Sequence, residues 1–156
     1  MKIDPSYAKS HPELFEMITF YNLKRESACW DDLIGQQLVL VDAARDKIVW
    51  EFEVQETHCN QLGNLHGGCV ATLIDLCTSF ATLVSDRKAQ WTSMGVSTDL
   101  AVTYMLGVPA GETIRIECKV QRVGKSLANL HSTIYNSAGK PCYSGSHTKF
   151  CITSKL

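Results

Sequence analysis

A run of nineteen residues from Gly67 to Ser85 constrains this chain more than any other segment, because it carries a single charged side chain, Asp75. Eleven of the nineteen residues are Cys, Val, Ala, Leu, Ile or Phe. The run is longer than a strand and contains no proline, so it predicts a long helix that begins at His66. A surface helix would carry Lys, Glu or Arg on its outer face, and we therefore expect this helix to be covered on all sides. Asp75 and the Ser and Thr residues that interrupt the run argue against a membrane span.

Runs of β-branched and aromatic residues surround this helix and predict strands. Residues 36–43 and 47–54 predict a hairpin around the polar turn 44–46, and four later runs predict a meander of strands over 94–105, 112–123, 127–136 and 140–152. Residues 11–24, with Pro12 near the start, predict a short helix. The order predicts an α+β domain over 36–152, with an antiparallel sheet wrapped around one long central helix, after an N-terminal helical segment over 1–35.

Composition limits the partners that the chain can hold. Its 156 residues fit a single domain that is large enough to bury a core. Fifteen Lys and Arg against sixteen Asp and Glu give a formal net charge of -1. No general basic field is therefore expected to hold nucleic acid or an anionic membrane, and any bound phosphate must meet a few local cations.

Seven cysteines, an odd number without a C-x-x-C pair, fit neither a disulfide framework nor a zinc knuckle. We expect them to be reduced and mostly buried. His58, Cys59 and His66 could ligate a metal, but no second spaced pair completes a tetrahedral set, so no metal site is expected. Residues 122–126, RVGKS, are similar to a phosphate loop. Lys119 stands where that pattern requires glycine, however, and a predicted strand follows, so we do not interpret them as one.

The two ends of the sequence carry expectations about location. The first fifteen residues contain no apolar segment behind a basic one, and no arginine-rich presequence follows, so we do not expect secretion. Ser154, Lys155 and Leu156 spell S-K-L, the tripeptide that the peroxisomal import receptor reads at a free carboxyl end. In a eukaryotic cell we expect peroxisomal import through that receptor. In a bacterium the tripeptide has no such meaning, and we expect a cytoplasmic protein.

Asp75 is the residue of the predicted helix that most requires an explanation. At 100° per residue it shares one arc with Thr72, Ser79 and Thr82. A buried carboxylate is costly unless it is paired or used, and perturbed carboxylates concentrate at functional sites. We interpret Asp75 as catalytic; the alternative is a structural residue that hydrogen-bonds a loop.

His66, Gly67 and Gly68 stand at the predicted helix start, where unpaired backbone N–H groups and the positive end of the helix dipole face an approaching group. The two glycines let a ligand carbonyl come close to that backbone. These features predict an oxyanion hole, and Asn60, six residues upstream of His66, supplies a candidate side-chain donor. The alternatives are a turn asparagine and a structural histidine.

Asp75 lies seven or eight residues beyond the two glycines, which is ~11 Å along a helix axis at 1.5 Å per residue. One chain cannot easily place both groups on one small reacting centre. If the helices of two copies run antiparallel side by side, Asp75 of one copy lies near Gly67 of the other. The hypothesis is an active site at a symmetric dimer interface, with two sites per dimer.

Two segments together resemble a known family. Residues 60–75 read N-Q-L-G-N-L-H-G-G-C-V-A-T-L-I-D, and residues 95–105 read G-V-S-T-D-L-A-V-T-Y-M. From about Trp30 to Phe150 the chain resembles the hotdog-fold acyl-CoA thioesterases of the phenylacetate-pathway (PaaI-like) type, and closely their mammalian branch. The resemblance implies a hotdog domain, dimers and usually tetramers. It also implies hydrolysis of a fatty or aryl acyl-CoA, with no cofactor because coenzyme A is part of the substrate.

The resemblance further implies roles for individual residues. Asp75 corresponds to a general base or nucleophile that acts from the partner subunit. Asn60 and the Gly67 amide correspond to the groups that polarise the thioester carbonyl, with His66 beside them. Ser97 corresponds to the hydroxyl that holds the attacking water. Segments 104–109 and 122–127 and the end of the last strand correspond to the coenzyme A contacts, namely Tyr104, Met105, Arg122, Gly124, Lys125, Ser126, Leu127 and Phe150.

Two departures from the family pattern concern the substrate-binding segments. The stretch 86–94 is longer than in the nearest relatives and is expected to alter the pocket mouth, and the turn 106–110 lacks the usual Ser-Pro pairing. Two other functions stay open. An enoyl-CoA hydratase of the same fold needs a differently placed Asp and His pair, and a non-catalytic acyl-CoA-binding protein would release no thiol.

Overall fold

The structure is a computed structural model that describes residues 1–23, 29–86, 91 and 93–152, and its central feature is one long helix packed against a seven-stranded sheet. The helices are α1 (Pro5–Ser10), α2 (Pro12–Leu23), α3 (Asp32–Gly35) and α4 (Gly67–Ala81), with 3-10 turns at Glu56–His58 and Thr82–Val84. The strands are β1 (Lys2–Ile3), β2 (Val39–Ala44), β3 (Lys47–Glu53), β4 (Val96–Tyr104), β5 (Thr113–Val123), β6 (Leu127–Tyr135) and β7 (Pro141–Phe150). The predicted helix at 11–24, the hairpin, the central helix and the four later strands are confirmed, and their ends differ by a few residues. The elements β1, α1 and α3 are too short to show a period in the sequence.

The order of the strands differs from the predicted meander. The sheet runs β1-β2-β3-β5-β6-β7-β4, so β5, β6 and β7 are consecutive neighbours while β4 lies at the far edge and pairs with β7. β1 runs parallel to β2, which makes the sheet mixed rather than wholly antiparallel. Alternation of residue types predicts strands but does not say which strands are neighbours, because pairing depends on contacts distant in sequence.

The core lies between α4 and the inner face of the sheet. Helix α4 contacts β3, β4, β5, β6 and β7. Trp50 on β3 and Phe80 on α4 are completely buried, with ring centroids 5.5 Å apart in an edge-to-face arrangement. Residues Gly67–Val84 are long and apolar enough to cross a membrane, but 56% of that stretch is buried inside the fold, as expected for a core helix.

One face of α4 is open, so the prediction that the helix is covered on all sides is wrong for the single chain. Gly68 is exposed, and Thr72 and Asp75 are half-buried. The sheet wraps around the helix from one side only, and the part of the chain that the structure describes supplies no second layer over this face. The uncharged composition predicts burial, but it does not distinguish burial inside one chain from burial against another.

Strand β4 forms an edge of the sheet beside this open face. Its neighbour on one side is β7, and most of its residues are exposed. A nine-residue edge strand presents a row of unpaired N–H and C=O groups that can pair with another strand. The fold therefore leaves a backbone edge and a helix face open side by side.

None of the seven cysteines, all of which the structure describes, forms a disulfide. Five of them are buried: Cys69, Cys77, Cys118, Cys142 and Cys151. Burial raises the pKa of Cys69, beside the helix start, to about 11, so its thiol stays protonated near neutral pH. Burial of most of the cysteines is therefore confirmed, and these five behave as core side chains.

Candidate active site

His66 caps α4 and determines which amide at the helix start is available. Its Nδ1 accepts a hydrogen bond of 2.9 Å from the Gly68 N–H, and its carbonyl accepts one of 3.0 Å from the Val70 N–H. Because a backbone N–H can only donate, the neutral imidazole carries its proton on Nε2. The Gly67 N–H has no acceptor among the described residues. It lies at the positive end of the helix dipole, where it can donate to a bound ligand.

Asn60 is held in one orientation by the loop before the helix. Its Oδ1 accepts hydrogen bonds from the Leu62 N–H at 2.9 Å and the Asn64 N–H at 3.3 Å. An isolated antiparallel β-bridge pairs Cys59 with Leu65 and folds this loop back on itself, which brings Asn60 toward the helix start. Asn60 is therefore a turn residue and His66 a structural cap. These two roles still leave two donors available, because neither the Asn60 Nδ2 nor the Gly67 N–H has an acceptor within the described ranges.

Tyr104, predicted as a coenzyme A contact, lies over the helix start. Its hydroxyl donates to the Gly67 carbonyl at 3.0 Å. A Cβ at position 67 would lie 3.2 Å from Cε1 of the Tyr104 ring, so a larger residue would have to displace the ring. Tyr104 therefore bonds the carbonyl of the same residue that carries the free amide, Gly67.

Asp75 and Ser97 meet two turns further along α4. The Ser97 Oγ lies 3.2 Å from the Asp75 Oδ1. A register shift between Ser97 and Asp99 interrupts the pairing of β4 with β7 at this point, and such bulges commonly redirect side chains beside active sites. The Asp75 side chain is 47% exposed, so the expected enclosure of this carboxylate is not present in the single chain.

His147 on β7 joins this pair, and sequence reasoning missed it. Its Nε2 lies 2.8 Å from the Ser97 Oγ and 3.6 Å from the Asp75 Oδ1. Its Nδ1 lies 2.6 Å from the Thr78 Oγ1. The Thr78 hydroxyl also lies 2.6 Å from the Ile74 carbonyl oxygen, which shares its proton with Nδ1.

The protonation of His147 follows from this geometry. Burial, together with the positive charge of Lys149, lowers the pKa of His147 to about 4, while Asp75 and Asp99 oppose the shift. The imidazole is therefore neutral near neutral pH. Because the Ser97 hydroxyl donates to the Asp75 Oδ1, its oxygen accepts from His147, so the imidazole carries its proton on Nε2 and its Nδ1 accepts from the Thr78 hydroxyl.

Lys149 is a second buried group that the sequence analysis did not identify. It is 4% exposed, and its Nζ donates to the Ser79 Oγ at 2.7 Å. Ser79 in turn donates to the backbone carbonyl of Asp75 at 2.7 Å. Burial lowers the pKa of Lys149, and the negative charge of Asp75 opposes that shift. The signal available in the sequence was the alternation along β7, which places His147 and Lys149 on the inward face.

The predicted residues thus form two groups at opposite ends of β4. Asn60, His66, Gly67 and Tyr104 lie at the helix start, while Asp75 and Ser97 lie further along α4. About 11 Å of helix axis separates the two groups within one chain. The single chain therefore holds the carbonyl donors and the carboxylate apart, as the helix spacing predicts.

The other predicted substrate contacts lie at the Ser97 end of the sheet. Phe150 pairs with Val96 on one side and with Leu127 on the other, so the β5–β6 turn lies two strands from β4. Leu127 and Phe150 are 48% and 44% exposed. Arg122, Lys125 and Ser126 are exposed around that turn, with Gly124 half-buried between them. Met105 is exposed at the opposite end, beside Tyr104.

Metal coordination finds no support in this geometry. Within the described ranges, no group of three or more His, Cys, Asp and Glu side chains could hold a metal ion. His58 instead accepts a hydrogen bond of 3.0 Å from the Gln55 N–H and packs against Phe52, with ring centroids 4.8 Å apart. His58 therefore has a structural role.

Comparison with known proteins identifies relatives over most of the chain. The thioesterase superfamily model matches residues 62–143. Acyl-coenzyme A thioesterase 13 of Homo sapiens is 41% identical over 114 residues, which cover 72% of this chain and 79% of that protein. The crystal structure of zebrafish thioesterase superfamily member 2 matches with a TM-score of 0.76 at 34% identity, over 88% of this chain and 97% of that one. A protein of Streptococcus pneumoniae described as a hypothetical thioesterase, solved with coenzyme A, shares the fold with a TM-score of 0.66 at 20% identity, over 74% of this chain and 86% of that one.

Proposed function

This chain belongs to the thioesterase superfamily, and from that premise we propose that it hydrolyses the thioester bond of a fatty or aryl acyl-CoA to a free acid and coenzyme A. The single observation that carries the mechanism is the contact of the Asp75 carboxylate with Ser97, which His147 backs on the buried side. The human relative is named as an acyl-CoA thioesterase, and the Streptococcus structure contains coenzyme A, which supports this substrate class.

The helix start polarises the thioester carbonyl. The free Gly67 N–H and the Asn60 Nδ2 are both donors without an acceptor among the described residues, and both lie at the positive end of α4. In the transition state the carbonyl oxygen becomes an oxyanion, and donors that are already oriented toward it require no reorganisation. His66 acts as a positioning residue because it engages Gly68 and leaves Gly67 available.

Asp75 and Ser97 bind the attacking water. The Ser97 hydroxyl donates to the Asp75 Oδ1, and its oxygen accepts from the His147 Nε2–H. The remaining lone pair of Ser97 can accept one proton of the water while the second Asp75 oxygen accepts the other. Attack forms the C–O bond as Asp75 takes a proton. Collapse of the tetrahedral intermediate then breaks the C–S bond, and the proton held by Asp75 returns to the departing sulfur.

A second copy of the chain completes the site. β4 runs from the Asp75 end of α4 to the Gly67 end, because Ser97 contacts Asp75 and Tyr104 contacts Gly67. Antiparallel pairing of two β4 edges about a twofold axis places the Ser97 end of one copy beside the Tyr104 end of the other. The Asp75 of one copy then faces the Gly67 amide of its partner, and the open face of α4 becomes covered. We propose that two such dimers associate as a tetramer.

Coenzyme A is bound by local cations rather than by a general field. Lys125 is exposed in the β5–β6 turn and Arg122 is exposed near the end of β5, so the two cations lie two to three strand spacings from Ser97, or roughly 10–15 Å at the usual strand spacing. Leu127 and Phe150 present apolar surface beside them. The proposed reaction requires no cofactor, because coenzyme A enters as part of the substrate.

The test is thiol release from a series of acyl-CoA esters of increasing chain length and from a 4-hydroxyphenylacyl-CoA, detected with a chromogenic thiol reagent. We expect stoichiometric free thiol with at least one ester, and no release with the D75A variant. Hydration of an enoyl-CoA without free thiol would indicate the hydratase instead. Binding of an acyl-CoA without turnover would indicate a carrier.

Peroxisomal import is a separate proposal that depends on Ser154, Lys155 and Leu156, which lie outside the described residues. The S-K-L tripeptide is read by a receptor and does not act as an anchor. Expression of the full chain in eukaryotic cells with a fluorescent protein at its N-terminus tests it. We expect punctate fluorescence with a peroxisomal marker, and diffuse fluorescence when Leu156 is deleted.

A further inference from the structure

Trp91 connects the segment before β4 to the β5–β6 turn. Its indole Nε1–H donates to the Gly124 carbonyl at 2.9 Å. The ring also packs over Gly95, where an added Cβ would lie 2.7 Å from Cζ3 of the indole and 2.4 Å from the Phe150 carbonyl oxygen. Gly95 has a φ of 69°, which favours glycine as well. The indole therefore packs so closely against position 95 that a residue with a Cβ would clash with it.

The β5–β6 turn is held from two directions. Within the turn, the Gly124 N–H donates to the Leu127 carbonyl at 2.8 Å. From the end of β7, the Cys151 N–H donates to the Ser126 carbonyl at 2.9 Å. Trp91 supplies the second external contact through Gly124, which precedes Lys125 in the sequence, whereas Ser126 follows it. Both residues that flank Lys125 are therefore anchored through their carbonyls.

The cations near this turn have no acidic partner among the described residues to orient them. Arg122 and Lys125 are both exposed, and the ion pairs found in the described part of the chain do not include either side chain. Their positions consequently depend on the backbone that carries them. A backbone that is already ordered before the ligand binds reduces the conformational entropy that is lost on binding.

We propose that Trp91 is a positioning residue that orients the β5–β6 turn so that Arg122 and Lys125 meet the phosphates of coenzyme A. The inference rests on the proposed function for the identity of the ligand. It adds a residue from the segment 86–94, which the resemblance did not assign to any role. Trp91 does not contact the reacting atoms in this proposal, so it affects substrate affinity and leaves the chemical step alone.

The experiment compares the wild type with W91F, which keeps an aromatic ring and removes the N–H donor. Each enzyme is assayed with an acyl-CoA and with the matching acyl-pantetheine, which carries the same thioester without the nucleotide phosphates. Loss of one hydrogen bond corresponds to roughly a three- to tenfold change in binding. We expect KM for the acyl-CoA to rise by that factor with kcat unchanged, and no change with the acyl-pantetheine.

Two further measurements separate positioning from a general structural role. In an R122Q/K125Q background, W91F should have no additional effect, because the cations that it positions are gone. W30F is the matched control, since Trp30 is 89% exposed, and it should behave as the wild type. An equal loss with both substrates, a lower kcat, or an unchanged KM for the acyl-CoA would overturn the proposal.

Calorimetric titration with coenzyme A distinguishes failure of this inference from failure of the proposed function. If the wild type releases no thiol but binds coenzyme A, and W91F weakens that binding three- to tenfold, Trp91 has the proposed role and the hydrolytic function fails. If hydrolysis occurs and W91F binds coenzyme A as the wild type does, the hydrolytic function stands and the Trp91 role fails. If the wild type neither releases thiol nor binds coenzyme A, both fail.

Discussion

The Ser97 hydroxyl lies 2.8 Å from Nε2 of His147, and this contact determines how the hydroxyl can serve the adjacent carboxylate. A serine has one proton to donate. The Asp75 Oδ1 at 3.2 Å accepts this proton, so the neutral His147 donates from Nε2 to the Ser97 oxygen and its Nδ1 accepts from the Thr78 hydroxyl. One lone pair of the Ser97 oxygen and the second Asp75 oxygen then stay available. A water that donates to both has its own lone pair directed toward the carbonyl carbon.

S97A should lower kcat by on the order of 10², with little change in KM, because the water loses one of the groups that orient it. Thiol release under saturating acyl-CoA measures this effect. S146A is the matched control, since Ser146 is exposed on β7 and its hydroxyl forms no hydrogen bond among the described residues. A fully active S97A enzyme would remove Ser97 from the mechanism.

The low pKa of His147 predicts a pH-dependent stability. The folded protein holds this imidazole neutral down to about pH 4, whereas the unfolded chain protonates it near pH 6.5. Between these values the unfolded state binds more protons, so the free energy of unfolding falls as the pH falls. The contribution of His147 to the free energy of unfolding changes by at most about 1.4 kcal/mol per pH unit. This contribution is fully present above pH 6.5 and is lost as the pH falls toward 4.

Urea denaturation at pH 4.5, 5.5 and 6.5 tests this prediction by comparing the wild type with H147Q. The variant should lose that part of the slope, because no histidine remains at this position to bind a proton on unfolding. H131Q should keep it, since His131 is half-buried outside the network. Identical slopes in the wild type and H147Q would contradict the assignment of a neutral His147.

N60D should lower kcat by ~10²–10³, because the carboxylate retains the acceptor that Leu62 and Asn64 require but offers no donor to the carbonyl. The turn itself should persist, so the thermal midpoint should stay within a few degrees of the wild type. Kinetics and thermal denaturation of the same preparation separate the two effects. Unchanged turnover in a folded N60D protein would mean that the Asn60 side chain does not reach the substrate.

A mixture of G67P and D75A chains tests whether the two groups of site residues meet across subunits. Proline is tolerated at the first helical position, and it removes the amide that polarises the carbonyl and displaces the neighbouring Tyr104 ring. Each homodimer lacks one required group in both sites. In a mixed dimer, one of the two sites combines the intact Gly67 of one chain with the intact Asp75 of the other.

We therefore expect two inactive proteins to regain activity after they are unfolded together and refolded. Random pairing makes about half of the dimers mixed, each with one working site, so recovery should approach a quarter of the wild-type rate. A mixture that stays inactive while exchange of subunits is demonstrated would place Gly67 and Asp75 in the same site of one chain.

The site was partly predictable because two of its constraints are local. Every helix has unpaired amides in its first turn, and His66, Gly67 and Gly68 indicate in the sequence where this helix begins. A single carboxylate in an apolar helix likewise stands out from composition alone. His147 and Lys149 gave a weaker signal, since alternation on a strand places them inward but does not say which helix residue they contact. Their partners, Thr78 and Ser79, lie 69 and 70 residues away.

By itself the sequence determined the α+β class, the long central helix, the position of the strands and the presence of one exceptional carboxylate, since periodicity and local composition encode these features. The tertiary structure alone decided that β4 lies at the sheet edge beside β7, that Asp75 is half exposed, and that Ser97 and His147 meet it. The reason is that strand pairing and side-chain contacts depend on which distant segments pack together. A period of two or 3.6 residues predicts the face that a side chain occupies, and only packing determines what lies opposite that face.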